Sequence, residues 1–184
     1  MTAFKELMPR EINRLIHLTE NFLGLAKPST AAHPVVDLSQ VIHRVARLLR
    51  PLFEGKKATL TVTAPADLGL KASESQMESL ILNLLQNAFQ SIQAGGTVSL
   101  LARSLKRSSQ GPGPWVELQV KDNGEGVFHG DLSLIFDPFF STKEGGTGLG
   151  LAICQKIVQN HQGFLTVKNS PRKGVIFSAV LPLR

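Results

Sequence analysis

Four glycines lie within residues 145–150, directly before a run with apolar residues at helical spacing. The apolar positions of that run are Leu151, Ile153, Cys154, Ile157 and Val158. The first amides of a helix lack intrahelical partners, and the N-terminus of a helix is positive. Because glycine lets a backbone approach an anion closely, the pattern predicts a backbone cradle for a polyphosphate. A plain flexible loop is the alternative interpretation.

An acidic, glycine-rich turn follows a strand-like run at residues 122–126, Asp-Asn-Gly-Glu-Gly. A carboxylate only accepts hydrogen bonds, whereas adenine offers an exocyclic amine where guanine offers a carbonyl. A buried Asp122 would therefore accept from adenine and disfavour guanine. Gly124 and Gly126 would let the chain turn and let the base approach. An ordinary Asp-Asn-Gly turn remains open as the bland alternative.

A long helix is predicted to carry three amide side chains near one face, Asn83, Asn87 and Gln90. An amide carbonyl is a hard oxygen ligand, and Mg²⁺ takes one or two protein oxygens beside phosphates and water. This face could therefore hold a metal ion, although a polar helix edge in water has the same pattern. Lys143, which ends the phenylalanine-rich stretch 135–143, could reach a terminal phosphate. A solvated lysine is the alternative there, and the phenylalanines are expected to dock on the body or on a partner.

The chain mixes helices and strands without strict alternation, which favours an α/β sandwich. We expect one mixed, mostly antiparallel sheet covered by helices on one face. Predicted helices cover residues 4–26, 39–54, 73–93 and 148–160, with Ser39 capping the second helix. Predicted strands cover 58–63, 68–72, 97–102, 116–120, 164–167 and 175–181. The basic Pro/Gly-rich segment 103–114 is expected to be a solvated hairpin loop, and 123–146 a loop with one helical turn.

Together and in this order, four motifs resemble those of the histidine-kinase branch of the GHKL ATP-binding family. They are the N box at 76–88, the G1 box at 122–126, the F box at 135–143 and the G2 box at 146–151. The resemblance covers about residues 37–184. It implies a Bergerat-type sandwich, bound ATP and Mg²⁺, and a mobile ATP lid.

The same resemblance assigns roles. Asn87 becomes the Mg²⁺ ligand with Asn83 supporting it, Asp122 reads adenine, and Lys143 contacts the terminal phosphate. Asn87 and Lys143 are then the catalytic residues. The expected ATP-binding residues are Asn83, Asn87, Gln90, Asp122, Gly124, Gly126, Lys143, Gly146, Thr147, Gly148, Leu149 and Gly150.

Hydrolysing relatives place a glutamate one turn before the metal asparagine, where this chain has Asn83, which cannot act as a base. The expected activity is therefore transfer of the γ-phosphoryl group to a histidine in two-component signalling. No histidine here is followed by an acidic residue, and His17 is a poor acceptor candidate. Residues 1–27 resemble the second helix of a dimerisation domain, 28–37 a linker and 38–184 the catalytic domain. The alternatives are a silent nucleotide-binding module and a serine kinase of the anti-sigma-factor type.

Partners follow from this assignment. We expect a dimerisation helix with the acceptor histidine, supplied by the same or another chain, a response regulator receiver domain, and a homodimer in the intact protein. The chain of 184 residues has a net charge of +6 and one cysteine, which suits a reducing compartment. No apolar run approaches a membrane span, so a cytoplasmic location is expected, with or without an anchor elsewhere. No nucleic-acid partner is expected, because aromatic side chains do not interleave with the basic segment.

Overall fold

The computed structural model describes residues 33–66, 68–128, 131–143 and 146–183. The helix expected over residues 4–26 and the histidine at position 17 lie outside the described residues. None of the described helices is both long and apolar enough to cross a membrane.

Ten elements follow one another along the described chain. The helices are α1 (Leu38–Gly55), α2 (Glu74–Ser91) and α3 (Gly150–Asn160). The strands are β1 (Val35–Asp37), β2 (Thr59–Thr63), β3 (Gly69–Lys71), β4 (Thr97–Ser108), β5 (Gly111–Asp122), β6 (Phe164–Asn169) and β7 (Val175–Pro182). The three helices predicted for the catalytic domain are therefore present, and their ends lie within a few residues of the predicted ends.

A five-stranded sheet has the order β2-β4-β5-β7-β6. Its β2–β4 pair is parallel, and the other three pairs are antiparallel. β1 and β3 form a separate small antiparallel sheet. Alternate residues of β5, among them Val116, Leu118 and Val120, are buried in a core shared with the helices. The expected mixed, mostly antiparallel sandwich is confirmed.

The start of the folded domain differs from the prediction in two respects. β1 lies inside the segment 28–37 that was expected to be a linker, because it pairs with β3. The cap of α1 is Asp37, whose Oδ1 accepts from the Ser39 amide at 2.9 Å. The prediction that Ser39 is the cap is therefore wrong by two residues. Asp37 is equally suited to capping, and its pairing in β1 places it at the extended position that a cap requires.

The prediction of a solvated hairpin loop over 103–114 is also wrong. β4 and β5 continue through this segment and leave only residues 109–110 to turn. Cross-strand pairs hold the extension together, since Leu105 lies opposite Trp115 and Arg103 makes an ion pair with Glu117 at 2.7 Å. The basic side chains of this segment thus lie on a strand and not in a loop.

α2 and α3 pack against each other, so that the end of α3 lies beside the start of α2. The ring of His161, just after α3, joins the two helices: its Nδ1 lies 2.8 Å from the Ile157 carbonyl, and its Nε2 accepts from the Ser73 amide at 3.2 Å. Ser73 is the residue that caps α2. Cys154 is fully buried between the helices, and burial raises the pKa of its thiol, which fits the expected packing role.

Candidate nucleotide-binding site

Asp122 ends β5 with only 2% of its surface exposed. The amides of Gly124 and Val175 donate to its Oδ1, at 2.8 Å and 3.3 Å. Burial raises the pKa of this carboxyl, while the two amides and the charge of Lys143 act in the opposite direction. Both backbone bonds use the same oxygen, so neither competes for Oδ2 with an incoming amino group. The expected buried acceptor is therefore in place.

Two glycines bring the backbone against Asp122 and α2. A Cβ at Gly124 would lie 2.4 Å from the carbonyl oxygen of Ser91, near the C-terminus of α2. A Cβ at Gly174, just before β7, would lie 2.0 Å from the Asp122 carbonyl. Gly124 was predicted for this segment, whereas Gly174 was not. Its only signal in the sequence is a glycine directly before a strand, which many turns share.

Asn87 presents two oxygens to a cation. The Lys143 ammonium donates to Oδ1 of Asn87 at 2.8 Å and to its backbone oxygen at 3.2 Å. Gln90 lies farther away, with Oε1 at 3.5 Å, where a hydrogen bond is weak. The Ser91 hydroxyl also donates to the Asn87 carbonyl, at 2.9 Å. Because these oxygens converge on a positive charge, the donor set fits Mg²⁺, which prefers such ligands.

Lys143 is half-buried beside Asn87. Burial lowers the pKa of its ammonium, and the carboxylate of Asp122 partly restores it. The structure thus brings three predicted residues, Asn87, Asp122 and Lys143, into one electrostatic group. Lys143 reaches this group from the phenylalanine-rich segment, which contributes no other side chain to it among the described residues.

Asn83 lies one turn before Asn87 and points to different partners. Its Nδ2 donates to the backbone oxygen of Ser79 at 2.8 Å and approaches the Ser79 hydroxyl at 3.3 Å. Its Oδ1 faces Gly150, where a Cβ would lie 3.0 Å away. Among the contacts of the described residues, Asn83 thus makes its hydrogen bonds within α2 and packs against the start of α3. Its expected support of Asn87 stays a prediction.

The glycines before α3 allow close contacts within the protein. Gly148 has φ +66°, and a Cβ there would lie 2.4 Å from the carbonyl carbon of Phe139. The Phe139 amide donates to the Gly148 carbonyl at 3.1 Å. A Cβ at Gly146 would meet the Ser141 hydroxyl at 2.4 Å. The G2 and F boxes are therefore packed backbone to backbone, which periodicity in the sequence cannot reveal.

The N-terminus of α3 begins at Gly150, two residues later than expected. Leu149 occupies the cap position without a side-chain cap, and its amide lies 3.4 Å from the Thr147 hydroxyl. The first intrahelical bond runs from the Ile153 amide to the Leu149 carbonyl at 2.9 Å. The amides at 150–152 precede that bond, so they are the donors that a helix N-terminus offers to an anion.

The site thus combines a buried acceptor, an amide whose oxygens contact a cation and a glycine-rich helix start. The model of the histidine kinase-, DNA gyrase B- and HSP90-like ATPases matches residues 72–184, and the chain belongs to this family. The matched region begins directly after β3 and runs to the end of the chain, and it holds every residue of the site.

Individual relatives are sensor kinases. The chain is 35% identical to the sensor histidine kinase ZraS of Klebsiella oxytoca over 178 residues, which are 96% of this chain and 37% of that protein. Full-length ShkA, solved with AMPPNP, superposes with a TM-score of 0.74 at 26% identity, covering 92% of this chain and 36% of that one. ThkA, solved with the response regulator TrrA, shares the fold with a TM-score of 0.77 at 23% identity, covering 97% and 50%. The chain thus corresponds to the ATP-binding catalytic part of these longer kinases.

Proposed function

We propose that this chain binds Mg·ATP and transfers the γ-phosphoryl group to a histidine on a dimerisation helix. One observation carries the proposal most directly: the Asn87 oxygens and the Asp122 carboxylate are joined through a single turn of α2. Ser91 bonds to the Asn87 carbonyl and packs on Gly124, which in turn donates to Asp122. A cation site and a base-reading carboxylate are therefore held at a fixed separation, which suits one nucleotide.

Different residues of the site would contact different parts of the nucleotide. Asp122 would accept from the adenine amine, and the amides at the start of α3 would hold the phosphates. Asn87 would supply oxygen to Mg²⁺, which neutralises charge on the triphosphate when bound. Lys143, now paired with Asn87, would give up those oxygens and contact the terminal phosphate instead. This exchange keeps a positive charge next to Asn87 with or without the nucleotide.

The absence of an acid at position 83 favours transfer over hydrolysis. The Asn83 amide donates to the Ser79 carbonyl within α2, and an amide has no basic group that could take a proton from water. In the transfer, the bond from the γ-phosphorus to the ADP oxygen breaks as a bond to the acceptor imidazole nitrogen forms. The imidazole proton passes to a base carried with the acceptor, and ADP leaves with the bonding electron pair. Positioning and charge neutralisation supply most of the catalysis.

The partners are inferred from the relatives. The chain spans little more than a third of the relative ZraS, a sensor histidine kinase. We infer that a dimerisation helix presents the histidine and that a receiver domain then takes the phosphoryl group. ThkA was solved with a response regulator, which supports a partner of this kind. A homodimer in the intact kinase completes the proposal.

The experiment combines the chain with a dimerisation domain of the same kinase and [γ-³²P]ATP. Acid-labile label should appear on that domain, and none should appear on a copy whose histidine is replaced by glutamine. If ATP binds but no label transfers, the chain is a nucleotide-binding module without catalysis. Acid-stable label would instead identify a serine kinase.

A further inference from the structure

Asn169, the last residue of β6, forms a pair of hydrogen bonds with the residue that follows the G1 box. Its Oδ1 accepts from the Val127 amide at 2.9 Å, and its Nδ2 donates to the Val127 carbonyl at 2.7 Å. The side-chain amide thus supplies the two bonds that a paired residue of a neighbouring strand would make. Because the bonds are short and run in both directions, they fix the peptide groups on both sides of Val127.

The residue before Val127 fits closely against the same side chain. Gly126 has φ +92°, and a Cβ there would lie 3.2 Å from Asn169 Oδ1. Glycine adopts this conformation without strain, whereas a larger residue would also crowd the amide. Gly126 is one of the expected nucleotide-binding glycines, so Asn169 holds the backbone directly beside an expected contact of the nucleotide.

The other end of the G1 box is held by the same hairpin of β6 and β7. The Val175 amide, at the start of β7, donates to Asp122 Oδ1 at 3.3 Å. A backbone hydrogen bond of 2.8 Å closes the turn at 170–174 that joins the two strands. One short turn therefore holds both ends of the G1 box, the first through Val175 and the last through Asn169.

The two ends differ in how many bonds hold them. Asp122 has a second donor, the Gly124 amide at 2.8 Å. The side chain of Val127 packs against the core, but within the described part of the chain residues 125–127 have no hydrogen bonds besides the two from Asn169. The structure describes every residue from 122 to 127, so the path from Asn169 back to Asp122 is continuous.

A nucleotide that binds beside residues 124–126 would therefore contact a turn that is already ordered. Without Asn169, binding would have to order this turn, and the entropy lost in doing so would reduce the affinity. The expected phosphate contacts lie on other elements, with Asn87 on α2 and the G2 amides at the start of α3. Among the contacts of the described residues, Asn169 makes no hydrogen bond to either of these elements.

We propose that Asn169 is a positioning residue for the base end of the nucleotide: through Val127 and Gly126 it preorganises the turn that receives adenine. The inference rests on the proposed function, since it concerns the adenine side of the same ATP site. It requires that loss of Asn169 weakens adenosine and ATP by the same factor. The contribution of Mg²⁺ to ATP binding, which depends on Asn87, should not change.

The test measures ATP by calorimetry and adenosine by NMR titration. Asn169→Ala should weaken both ligands about tenfold, the cost of ordering about one backbone residue on binding. The factor by which Mg²⁺ strengthens ATP binding should stay as in the wild type. Thr166→Ala, at an exposed position of the same strand, is the matched control and should alter neither ligand. Asn169→Leu, which is neutral and similar in volume to asparagine, should reproduce the equal loss.

Amide hydrogen exchange separates preorganisation from a general loss of stability. The Val127 amide of the wild type should be protected before any nucleotide is added. In both Asn169 variants it should exchange faster, while exchange in β7 stays at the wild-type rate. A Val127 amide that becomes protected in the wild type only when adenosine binds would overturn the inference without any variant.

The affinities give three further outcomes that would contradict the inference. A loss of ATP affinity with unchanged adenosine affinity would show that Asn169 acts on the phosphates. A loss of the Mg²⁺ effect would show that the whole site is disturbed. Wild-type affinity for both ligands in the folded variants would show that the turn needs no preorganisation, and the proposed function would stand without Asn169. If the wild-type chain binds neither ligand, the proposed function itself fails, and the inference fails with it.

Discussion

Asn87 is the residue on which the metal assignment depends. Its two oxygens already bind a cation, because the Lys143 ammonium lies within 2.8 Å and 3.2 Å of them. A metal ion that brought ATP would take over these oxygens, and the lysine would move to the phosphate. On the proposed function, the residue would contact the lysine ammonium in the free protein and Mg²⁺ in the complex.

Removing that side chain should abolish the metal dependence of binding. We expect Asn87→Ala to lower ATP affinity in Mg²⁺ by at least about tenfold, the cost of a lost contact to a charged group. In EDTA, the ATP affinity of the variant should equal that of the wild type. Gln86→Ala, an exposed position on the same helix, serves as the control in calorimetry. If Mg²⁺ still strengthens ATP binding to Asn87→Ala as much as to the wild type, Asn87 is not the ligand.

The position of Lys143 predicts that ATP binding is coupled to proton uptake. Burial lowers the pKa of its ammonium in the free protein, and a phosphate beside it would raise that pKa. At an alkaline pH between the pKa of Lys143 in the free protein and its pKa in the complex, the Lys143 amine is neutral in the free protein and protonated in the complex. ATP binding should therefore take up protons there, measured by calorimetry in buffers of different ionisation enthalpy. The uptake should vanish in Lys143→Met, and proton release by the wild type would contradict the contact.

Asp122 should set the choice of purine. The carboxylate can only accept, whereas an amide at the same position can also donate to the guanine carbonyl. We expect Asp122→Asn to reduce the ratio of ATP to GTP affinity by more than about tenfold. Asp137→Asn, an exposed aspartate of the F box, is the control. Equal affinities of the wild type for ATP and GTP would remove Asp122 from this role.

At the scale of elements, sequence patterns identified most helices and strands but not the contacts between loops. The spacing of apolar residues predicted both α2 and α3, because each helix buries a single face. The extension of β4 and β5 was missed, since basic residues next to prolines and glycines are typical of loops. The packing of Gly148 on Phe139 was also beyond prediction, because it joins two segments that share no periodicity.

That loop contact can be tested through its glycine. In Gly148→Ala the new Cβ would meet the Phe139 backbone, and the φ of +66° is unfavourable for alanine. We expect the free energy of unfolding to fall by about 1–3 kcal/mol in urea denaturation. Gly55→Ala is the matched control, because a Cβ added there would have no atom within 4 Å and the φ of Gly55 is ordinary. Equal stability of the two variants would show that the G2 and F boxes do not pack as described.

The junction of α2 and α3 should be sensitive to acid. Burial lowers the pKa of His161, whose Nε2 accepts from the Ser73 amide, with His33 stacked on the ring at 5.0 Å. Below the ordinary histidine pKa of about 6.5, the unfolded chain binds a proton that the folded chain resists, so stability falls as the pH drops from there toward the lowered value. Denaturation at pH 7.5 and pH 5.5 measures this. His161→Gln should lose part of the difference, and an undiminished difference would place the sensitivity elsewhere.

At the scale of the whole molecule, the fold class and the order of the four motifs could be predicted, and the spatial links between the motifs could not. Asp122, Asn87 and Lys143 were recognisable because each belongs to a contiguous motif. Gly174 was not, because it lies on the β6–β7 turn and approaches Asp122 from a distant part of the chain. Residues that work by contact across the fold leave no spacing signal of their own.

The central claim is that one adenine nucleotide binds between α2 and the G1 segment with Mg²⁺ at Asn87. Its most direct measurement is calorimetric titration of the chain with ATP, with and without Mg²⁺. We expect stoichiometric binding that Mg²⁺ strengthens, with GTP binding more weakly. No detectable association of ATP at saturating Mg²⁺ would contradict the claim.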